Sequence, residues 1–267
     1  MKPISNFPHS ELQTIRGVFI DIDDTLTTNG QLTAEAYAAM EQLHAIGISV
    51  VPVTGRPAGW CDHIARMWPV DGIIGENGAF YFHYDRKKRH MDRYYVDGDE
   101  KRAANRERLA ALGLHIIEQV PGAAISADQN YRETDLCIDI SEDVDPLPMF
   151  SVDRIVALLD GAGATAKVAS IHVNAWFGTY DKLTMTKHFV TNCFGINLID
   201  TEREFIFIGD SPNDAPMFAF FSNAVGVANV RDFENRLTIS PTYVTNNKSG
   251  AGFVEMATIL INAQGGL

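Results

Sequence analysis

The sequence predicts an α/β protein whose core is a doubly wound parallel sheet, with a separate α+β module inserted into that core. Short apolar strands alternate with helices at both ends of the chain, whereas the middle has hairpin-like strands and segregated helices. In addition, three aspartates lie within four positions directly after the first core strand. The first two observations predict the fold class, and the third indicates where the function lies.

The first core stretch has the order strand, helix, strand, helix, strand. Thr33 is a typical helix-capping residue, and Gly47 suits the end of the helix that follows it. Pro57 suits the first turn of a second helix, which we expect to run to about Met67. The strands are VFIDI (18–22), ISVVPVT (48–54) and GIIG (72–75). Short links between such elements are typical of a parallel sheet with helices on both faces.

The middle stretch differs in its pattern from residue 79 onward. Two aromatic segments flank the basic turn RKKR and are typical of a hairpin, AFYFHYD (79–85) and HMDRYYV (90–96). The elements expected after them are a polar-faced helix (100–119), an alternating strand (135–141), a helix (152–163) and a second alternating segment (167–178). We therefore expect residues 1–83 and 180–267 to form the core and residues 84–179 the inserted module. Hinges are expected near Tyr84 and near Gly178–Thr179.

The last stretch returns to the pattern of the first. Its predicted elements are a helix (185–195), a strand (204–210), a helix (213–221), strands at 224–228 and 242–245, and a closing helix (252–263). These elements complete the core that the inserted module interrupts.

Composition excludes several classes of partner. The chain has 34 acidic and 22 basic residues and a net charge of -12, which argues against nucleic acid or an anionic membrane. Its apolar runs fall short of the roughly 18 residues of a membrane span, and the N-terminus lacks the apolar segment of a signal peptide. The three cysteines are far apart, which indicates neither a disulfide framework nor a zinc site. We expect a cytoplasmic protein, and its oligomeric state is unknown from the sequence.

Polar residues follow several of the predicted core strands. Ligands of a doubly wound sheet bind beyond the carboxyl ends of its strands. Four segments bring carboxylates, a hydroxyl and an ammonium to that edge: Asp21 and Asp23; Thr54, Gly55 and Arg56; Lys182; and Gly209, Asp210, Ser211, Asn213 and Asp214. A single aspartate after a strand often bonds only to turn backbone, but four such segments indicate a binding site.

The residue types indicate the chemistry of this site. Clustered carboxylates without nearby His or Cys are hard oxygen ligands, which suit Mg²⁺. A hydroxyl, an ammonium and loop N–H groups suit the oxygens of a phosphate. A carboxylate that is free to attack phosphorus would be a nucleophile, and a second one two residues further on could protonate the leaving oxygen.

Four ordered motifs carry a resemblance to a known family. The segments DIDDTLT, VTGRP, DK (181–182) and GDSPND resemble the signature of the haloacid dehalogenase-like phosphatases. The segment ENGAFYF and the large insertion between the second and third motifs look like the Cof-type branch (subfamily IIB). That branch includes sucrose-phosphatase, mannosyl-3-phosphoglycerate phosphatase and archaeal phosphoglycolate phosphatase relatives. The resemblance implies a Rossmann-like core and an α+β cap domain that determines substrate specificity.

The resemblance also implies roles for individual residues. Asp21 would be the nucleophile and a Mg²⁺ ligand, and Asp23 the general acid and base with a main-chain carbonyl on the metal. Thr54, Gly55, Lys182 and Asn213 would hold the phosphoryl group. Asp210 would bind the metal, and Asp214 would do so directly or through water. Asp24, where many relatives have glycine, is interpreted as supporting the loop.

Some positions have two interpretations. Lys187 is the alternative to Lys182, but five residues of helix rotate a side chain by about 140°, so both cannot face the site. His172, Asn174 and Trp176 share one strand face, which is either an ordinary polar surface of the cap or a set of contacts to a sugar-like leaving group. Arg132, with Glu133 beside it, has the same two interpretations. Arg56 either contacts substrate or braces its loop.

The favoured function is a Mg²⁺-dependent phosphomonoesterase that hydrolyses a small phosphorylated metabolite through an aspartyl-phosphate. A phosphomutase is one alternative, but GDSPND looks like the motif of the hydrolases. A phospho-acceptor signalling domain is another alternative, disfavoured by the long insertion and by the position of the acidic motif after the lysine. The identity of the metabolite cannot be derived from the sequence.

Overall fold

The computed structural model describes residues 1–169 and 171–265. In chain order the strands are β1 (Lys2–Pro3), β2 (Gly17–Ile20), β3 (Ser49–Pro52), β4 (Ile73–Gly75), β5 (Phe80–Asp85), β6 (His90–Tyr95), β7 (Ala124–Ile125), β8 (Leu136–Asp139), β9 (Thr165–Val168), β10 (His172–Trp176), β11 (Phe205–Gly209), β12 (Ala224–Gly226) and β13 (Tyr243–Val244). The α-helices are α1 (His9–Leu12), α2 (Ala34–Ala45), α3 (Ala58–Met67), α4 (Asp99–Gln119), α5 (Met149–Gly161), α6 (Lys182–Phe189), α7 (Leu198–Thr201), α8 (Ala215–Phe220) and α9 (Ser249–Ala263). Among the helices of these residues, none is long and apolar enough to cross a membrane.

A parallel sheet forms the centre of the molecule. Its strand order is β1-β13-β12-β11-β2-β3, and every neighbouring pair is parallel. From β2 the chain proceeds to β3 on one side, and it later returns to β11, β12 and β13 on the other side. The strand order therefore reverses between β2 and β11, which is where such sheets bind ligands. The predicted fold class is confirmed.

The strands of this sheet are uninterrupted apolar runs because both faces of the sheet are buried. Every residue of β2 and β11 is buried. Ile20 and Ile208 belong to the apolar core on one face, together with residues of α2 and α9. Phe19 and Phe207 belong to the core on the other face, together with residues of α6 and α8. Burial on both faces holds β2 and β11 in register, with Ile20 opposite Ile208.

The inserted module has its own antiparallel sheet, in the order β7-β8-β10-β9. Helices α4 and α5 contribute to an apolar core with one face of this sheet, which includes Val173 and Ala175 of β10. The alternating segment 167–178 forms two antiparallel strands, with Val168 opposite Val173. It includes Ser170, which lies outside the described residues. The sequence shows a single alternating segment here because both strands of a hairpin have the same two-residue period.

The hairpin β5–β6 pairs with β4, which lies next to the core sheet. Strand β4 joins β3 through one parallel bridge, Val53 to Ile74, and β5 and β6 then pair antiparallel beyond β4. Tyr84 pairs with Met91 inside this hairpin, so the expected boundary at residue 84 lies within a paired strand. We therefore propose that the inserted module begins between β6 and α4 and ends at Gly178, whose φ of 141° is in a region that favours glycine.

Candidate active site

Three aspartates converge at the point where the strand order reverses. Asp21 follows β2, Asp210 follows β11, and Asp214 lies in the turn that leads into α8. All three are at least 95 % buried, with exposures of 5 %, 1 % and 0 %. One carboxylate oxygen from each lies within 4.8 Å of the others. The parallel pairing of β2 with β11 produces this convergence, because it brings the two carboxyl ends side by side.

Lys182 is the cation of this cluster. It is the first residue of α6, and its Nζ donates hydrogen bonds to Asp21 Oδ1 at 2.7 Å and Asp214 Oδ1 at 2.8 Å. Lys187 points elsewhere, with its Nζ 4.5 Å from the ring centroid of Phe220. The structure therefore brings Lys182, and not Lys187, to the carboxylates.

Gly78 allows the start of α6 to approach the core closely. A Cβ atom on Gly78 would lie 2.1 Å from the carbonyl oxygen of Asp181, and its φ of 102° also favours glycine. Asp181 caps α6 by accepting a hydrogen bond from the N–H of Thr184. The glycine and the cap together fix where Lys182 begins its helix.

The charges of the cluster do not balance among the protein groups. Burial raises the pKa of Asp21 to about 8, with Lys182 opposing the shift and Asp214 adding to it. Burial likewise raises the pKa of Asp210 well above its ordinary value. Three carboxylates and one ammonium leave two negative charges when all are ionised, which is the charge that a divalent cation offsets. The donors are all oxygens, so the residues fit Mg²⁺.

Asp214 already has partners for both of its oxygens. Its Oδ2 accepts hydrogen bonds from the N–H groups of Asp210 and Ser211 at 3.1 and 3.3 Å, and its Oδ1 accepts one from Lys182. A Cβ atom on Gly209 would lie 2.4 Å from Asp214 Oδ2, so only glycine leaves room for this carboxylate. Asp214 therefore organises the loop between β11 and α8 as well as contributing charge.

Asp23 is paired with Arg56. The guanidinium Nε donates to both carboxylate oxygens of Asp23 at 3.0 and 3.1 Å, and Nη2 donates to Oδ1 at 2.8 Å. Asp24, the next residue, has a φ of 55°, and its carbonyl oxygen accepts a hydrogen bond from Asn229. Arg56 therefore contacts the expected general acid directly, which neither of its two sequence-based interpretations included.

Two of the phosphate-binding candidates, Gly55 and Asn213, line a small cavity. Its volume is about 20 Å³, and its lining residues are Asp21, Asp23, Gly55, Arg56, Ala169, Ile171, His172, Asn174, Ser211 and Asn213. Thr54 is fully buried beside it, and its Oγ1 accepts a hydrogen bond from the N–H of Arg56 at 3.0 Å. Asn213 Oδ1 accepts one from Ser211 Oγ at 2.8 Å. A cavity of this size holds about one water molecule, so the module is closed over the site.

The strand face of His172, Asn174 and Trp176 points toward the core and not toward solvent. His172 and Asn174 line the cavity, with exposures of 4 % and 3 %. Asn174 donates a hydrogen bond to Asp135 at 2.9 Å. Trp176 is 1 % exposed and stacks on Tyr180 with ring centroids 5.5 Å apart, outside the set of cavity-lining residues. The structure therefore brings two of these three side chains to the site.

Arg132 joins the module to the core. It forms ion pairs with Asp128 at 2.9 Å and Asp135 at 3.0 Å, and it donates a hydrogen bond to the carbonyl oxygen of Gly55 at 2.9 Å. It does not line the small cavity. Glu133 pairs with Arg106 at 2.6 Å. Arg132 thus holds the loop of Gly55 in place from the module side.

Two glutamates were missed by the sequence analysis. Glu142, in the loop after β8, accepts hydrogen bonds from Arg56 Nη2 at 2.7 Å and Nη1 at 3.3 Å. Glu76 is fully buried and accepts hydrogen bonds from the N–H groups of Ala58 in the core and of Glu133 and Thr134 in the module. Glu76 lies in the ENGAFYF motif, which could have indicated a functional residue. Glu142 lies in a run of loop residues that carries no motif.

Comparison with known proteins shows which proteins the chain resembles. A family model described as haloacid dehalogenase-like hydrolase matches residues 18–105. A phosphoglycolate phosphatase of Archaeoglobus fulgidus is 27% identical over 247 residues, which cover 92% of this chain and 96% of the relative.

Solved structures share the fold. One from Thermoplasma acidophilum superimposes with a TM-score of 0.68 at 16% identity, covering 92% of this chain and 98% of the other. The sucrose-phosphatase of Synechocystis has a TM-score of 0.62 at 14% identity, covering 93% and 98%. The family model over residues 18–105 and the relative are both consistent with the resemblance that the four motifs carry, so the chain is similar to haloacid dehalogenase-like hydrolases.

Proposed function

We propose that this phosphatase is a Mg²⁺-dependent phosphomonoesterase that hydrolyses a small phosphorylated metabolite through an aspartyl-phosphate on Asp21. The observation that carries the proposal is the buried cluster of Asp21, Asp210 and Asp214 with Lys182 between two of them. The relative named phosphoglycolate phosphatase makes 2-phosphoglycolate the first substrate to test.

Asp21 is the candidate nucleophile because its carboxylate lines the cavity and comes from the rigid end of a buried strand. An oxygen of Asp21 would attack phosphorus as the bond from phosphorus to the leaving oxygen breaks. Lys182 would hold a phosphoryl oxygen and offset its charge, with Thr54, Gly55 and Asn213 around the other oxygens.

Asp23 would transfer the protons. It lines the same cavity and is the second carboxyl of the DIDD segment. As an acid it would protonate the leaving oxygen, and as a base it would take a proton from the water that hydrolyses the aspartyl-phosphate. The hydrogen bonds from Arg56 suit the ionised carboxylate, which is the form needed in the second step.

Asp21, Asp210, the main-chain carbonyl of Asp23 and Asp214 would hold the Mg²⁺ ion. Both Asp214 oxygens have protein partners, which favours contact through a water molecule. When bound, the ion would offset negative charge at the phosphate and at the cluster.

The proposal is tested by release of inorganic phosphate from a panel of phosphomonoesters that includes 2-phosphoglycolate and several sugar phosphates. We expect Mg²⁺-dependent phosphate release in the wild-type protein and a loss on the order of 10³-fold or more in Asp21→Asn. Asp24→Asn is the matched control, because it makes the same chemical change three residues further on, at a residue interpreted as supporting the loop. Equal activity of Asp21→Asn and wild type would refute the assignment, and isomerised sugar phosphate without phosphate release would indicate a phosphomutase.

A further inference from the structure

Glu142 places a carboxylate at the cation that contacts Asp23. Its two oxygens lie 2.7 and 3.3 Å from Nη2 and Nη1 of Arg56, and its Oε2 lies 2.9 Å from Nε2 of His172. Arg56 and His172 are buried and line the cavity that contains Asp21 and Asp23. The Arg56 guanidinium and the His172 imidazole of the site thus surround one carboxylate that the module provides.

The loop that carries Glu142 has a defined structure. Asp139 ends β8 and is 1 % exposed, and its carboxylate accepts hydrogen bonds from the N–H groups of Ser141, Glu142 and Asp143 at 3.0, 2.8 and 2.9 Å. Asp139 also lies opposite His172 in the paired strands. Strand pairing and these three hydrogen bonds therefore direct Glu142 toward the same point as His172.

The cavity that Asp21 and Asp23 line has no room for a substrate in this closed form. The cavity of about 20 Å³ is far smaller than a phosphomonoester, so the module must open or Glu142 must withdraw. The Glu142 side chain is 28 % exposed and also borders an adjoining cleft of about 310 Å³, which gives it room to withdraw. Withdrawal leaves Arg56 with Asp23 but without its second carboxylate partner, and it leaves His172 Nε2 without the carboxylate that it now contacts. Buried polar groups that lose a partner favour its replacement by another carboxylate.

We infer that Arg56 and His172 form a carboxylate subsite, that Glu142 occupies it in the absence of substrate, and that the preferred substrates are phosphorylated small hydroxy acids. The inference rests on the proposed phosphatase function and names the substrate class for that site. In such a substrate the carboxylate lies close to the phosphate, as the subsite lies in the same cavity as the nucleophile. Glu142 is then a specificity-determining residue, because it competes with the substrate carboxylate.

The test compares 2-phosphoglycolate with 2-hydroxyethyl phosphate, in which a neutral hydroxymethyl group replaces the carboxylate. For the wild type we expect kcat/KM to favour 2-phosphoglycolate by about 10- to 100-fold, the worth of a hydrogen bond to a charged group. Glu142→Gln should lower KM for 2-phosphoglycolate by about threefold or more, since a neutral amide competes less well. His172→Gln should reduce the preference for the carboxylate about tenfold. Asp143→Asn removes a neighbouring charge of the same loop and should leave the preference unchanged.

Two outcomes would overturn the inference while the phosphatase assignment stands. The first is Asp21-dependent hydrolysis of p-nitrophenyl phosphate together with equal kcat/KM for the two test substrates. The second is an equal effect of Glu142→Gln on both substrates, which would make Glu142 a closing contact only. If no phosphomonoester is hydrolysed, the proposed function fails, and calorimetric titration with glycolate still tests the subsite. Tighter glycolate binding by Glu142→Gln than by wild type would support it, and equal or absent binding would refute it.

Discussion

Replacing Lys182 with methionine tests the charge arrangement of the site most directly. The ammonium is 2 % exposed and lies 2.7 and 2.8 Å from oxygens of Asp21 and Asp214. Removing one partner of a buried ion pair costs about 3–5 kcal/mol, because the remaining charge is left buried without compensation. A domain has a free energy of unfolding of roughly 5–15 kcal/mol, so this loss is a large fraction of the total. We expect Lys182→Met to lose about 3–5 kcal/mol in EDTA and also its phosphatase activity.

Lys187→Met is the matched control for that measurement. It removes the same group from the same helix, where the ammonium contacts the ring of Phe220. Such a cation–π contact is worth about 0.5–1 kcal/mol at an exposed site. The assay is urea unfolding of both variants and the wild type in EDTA, followed by phosphate release with Mg²⁺. Equal destabilisation by the two substitutions, or an active Lys182→Met protein, would refute the arrangement of charges proposed for the site.

Three further predictions follow from the same contacts. Asp23→Asn should slow hydrolysis of a substrate with a poor leaving group by about 10²–10⁴-fold and affect p-nitrophenyl phosphate much less, and an equal loss on both would exclude Asp23 as the general acid. Activity should be lost in EDTA, restored by Mg²⁺ and not by Ca²⁺, because Ca²⁺ prefers more ligands and a looser geometry, and full turnover in EDTA would contradict this. Contacts with His172 and Arg56 lower the pKa of Glu142 to about 2, and contacts with Cys137 and Glu142 raise the pKa of His172 to about 10 although burial opposes the shift. The stability that ionised Glu142 contributes is therefore lost as the pH falls through about 2, and the stability that protonated His172 contributes is lost as the pH rises from about 6.5 through 10. Glu142→Gln should consequently lower the free energy of unfolding by about 1–3 kcal/mol at pH 5–6 and by less at pH 10, as measured by urea unfolding.

The sequence was sufficient for the core and for the residues at its carboxyl edge. In a parallel sheet all strands end at the same edge, so the sequence predicted that residues directly after VFI and FIFIG share that edge. Asp21 and Asp210 needed only this rule. The pairing of β2 with β11 then makes them neighbours. The preference for Lys182 over Lys187 needed two rules: five residues of helix turn a side chain to another face, and the start of the helix lies nearer to the strand ends.

Only the tertiary structure decided how the module contacts the site. The contact of Arg56 with Glu142 joins positions 86 residues apart, and no periodicity relates a loop residue of one domain to a loop residue of another. Trp176 shares a strand face with His172 and Asn174, but in the folded protein it stacks on Tyr180. The hairpin at residue 84 has the sequence pattern of any antiparallel strand pair, and only its pairing with β4 shows that it lies next to the core sheet. The local sequence pattern thus determines which residues end a strand. The packing of the module against the core determines which of those residues contact each other.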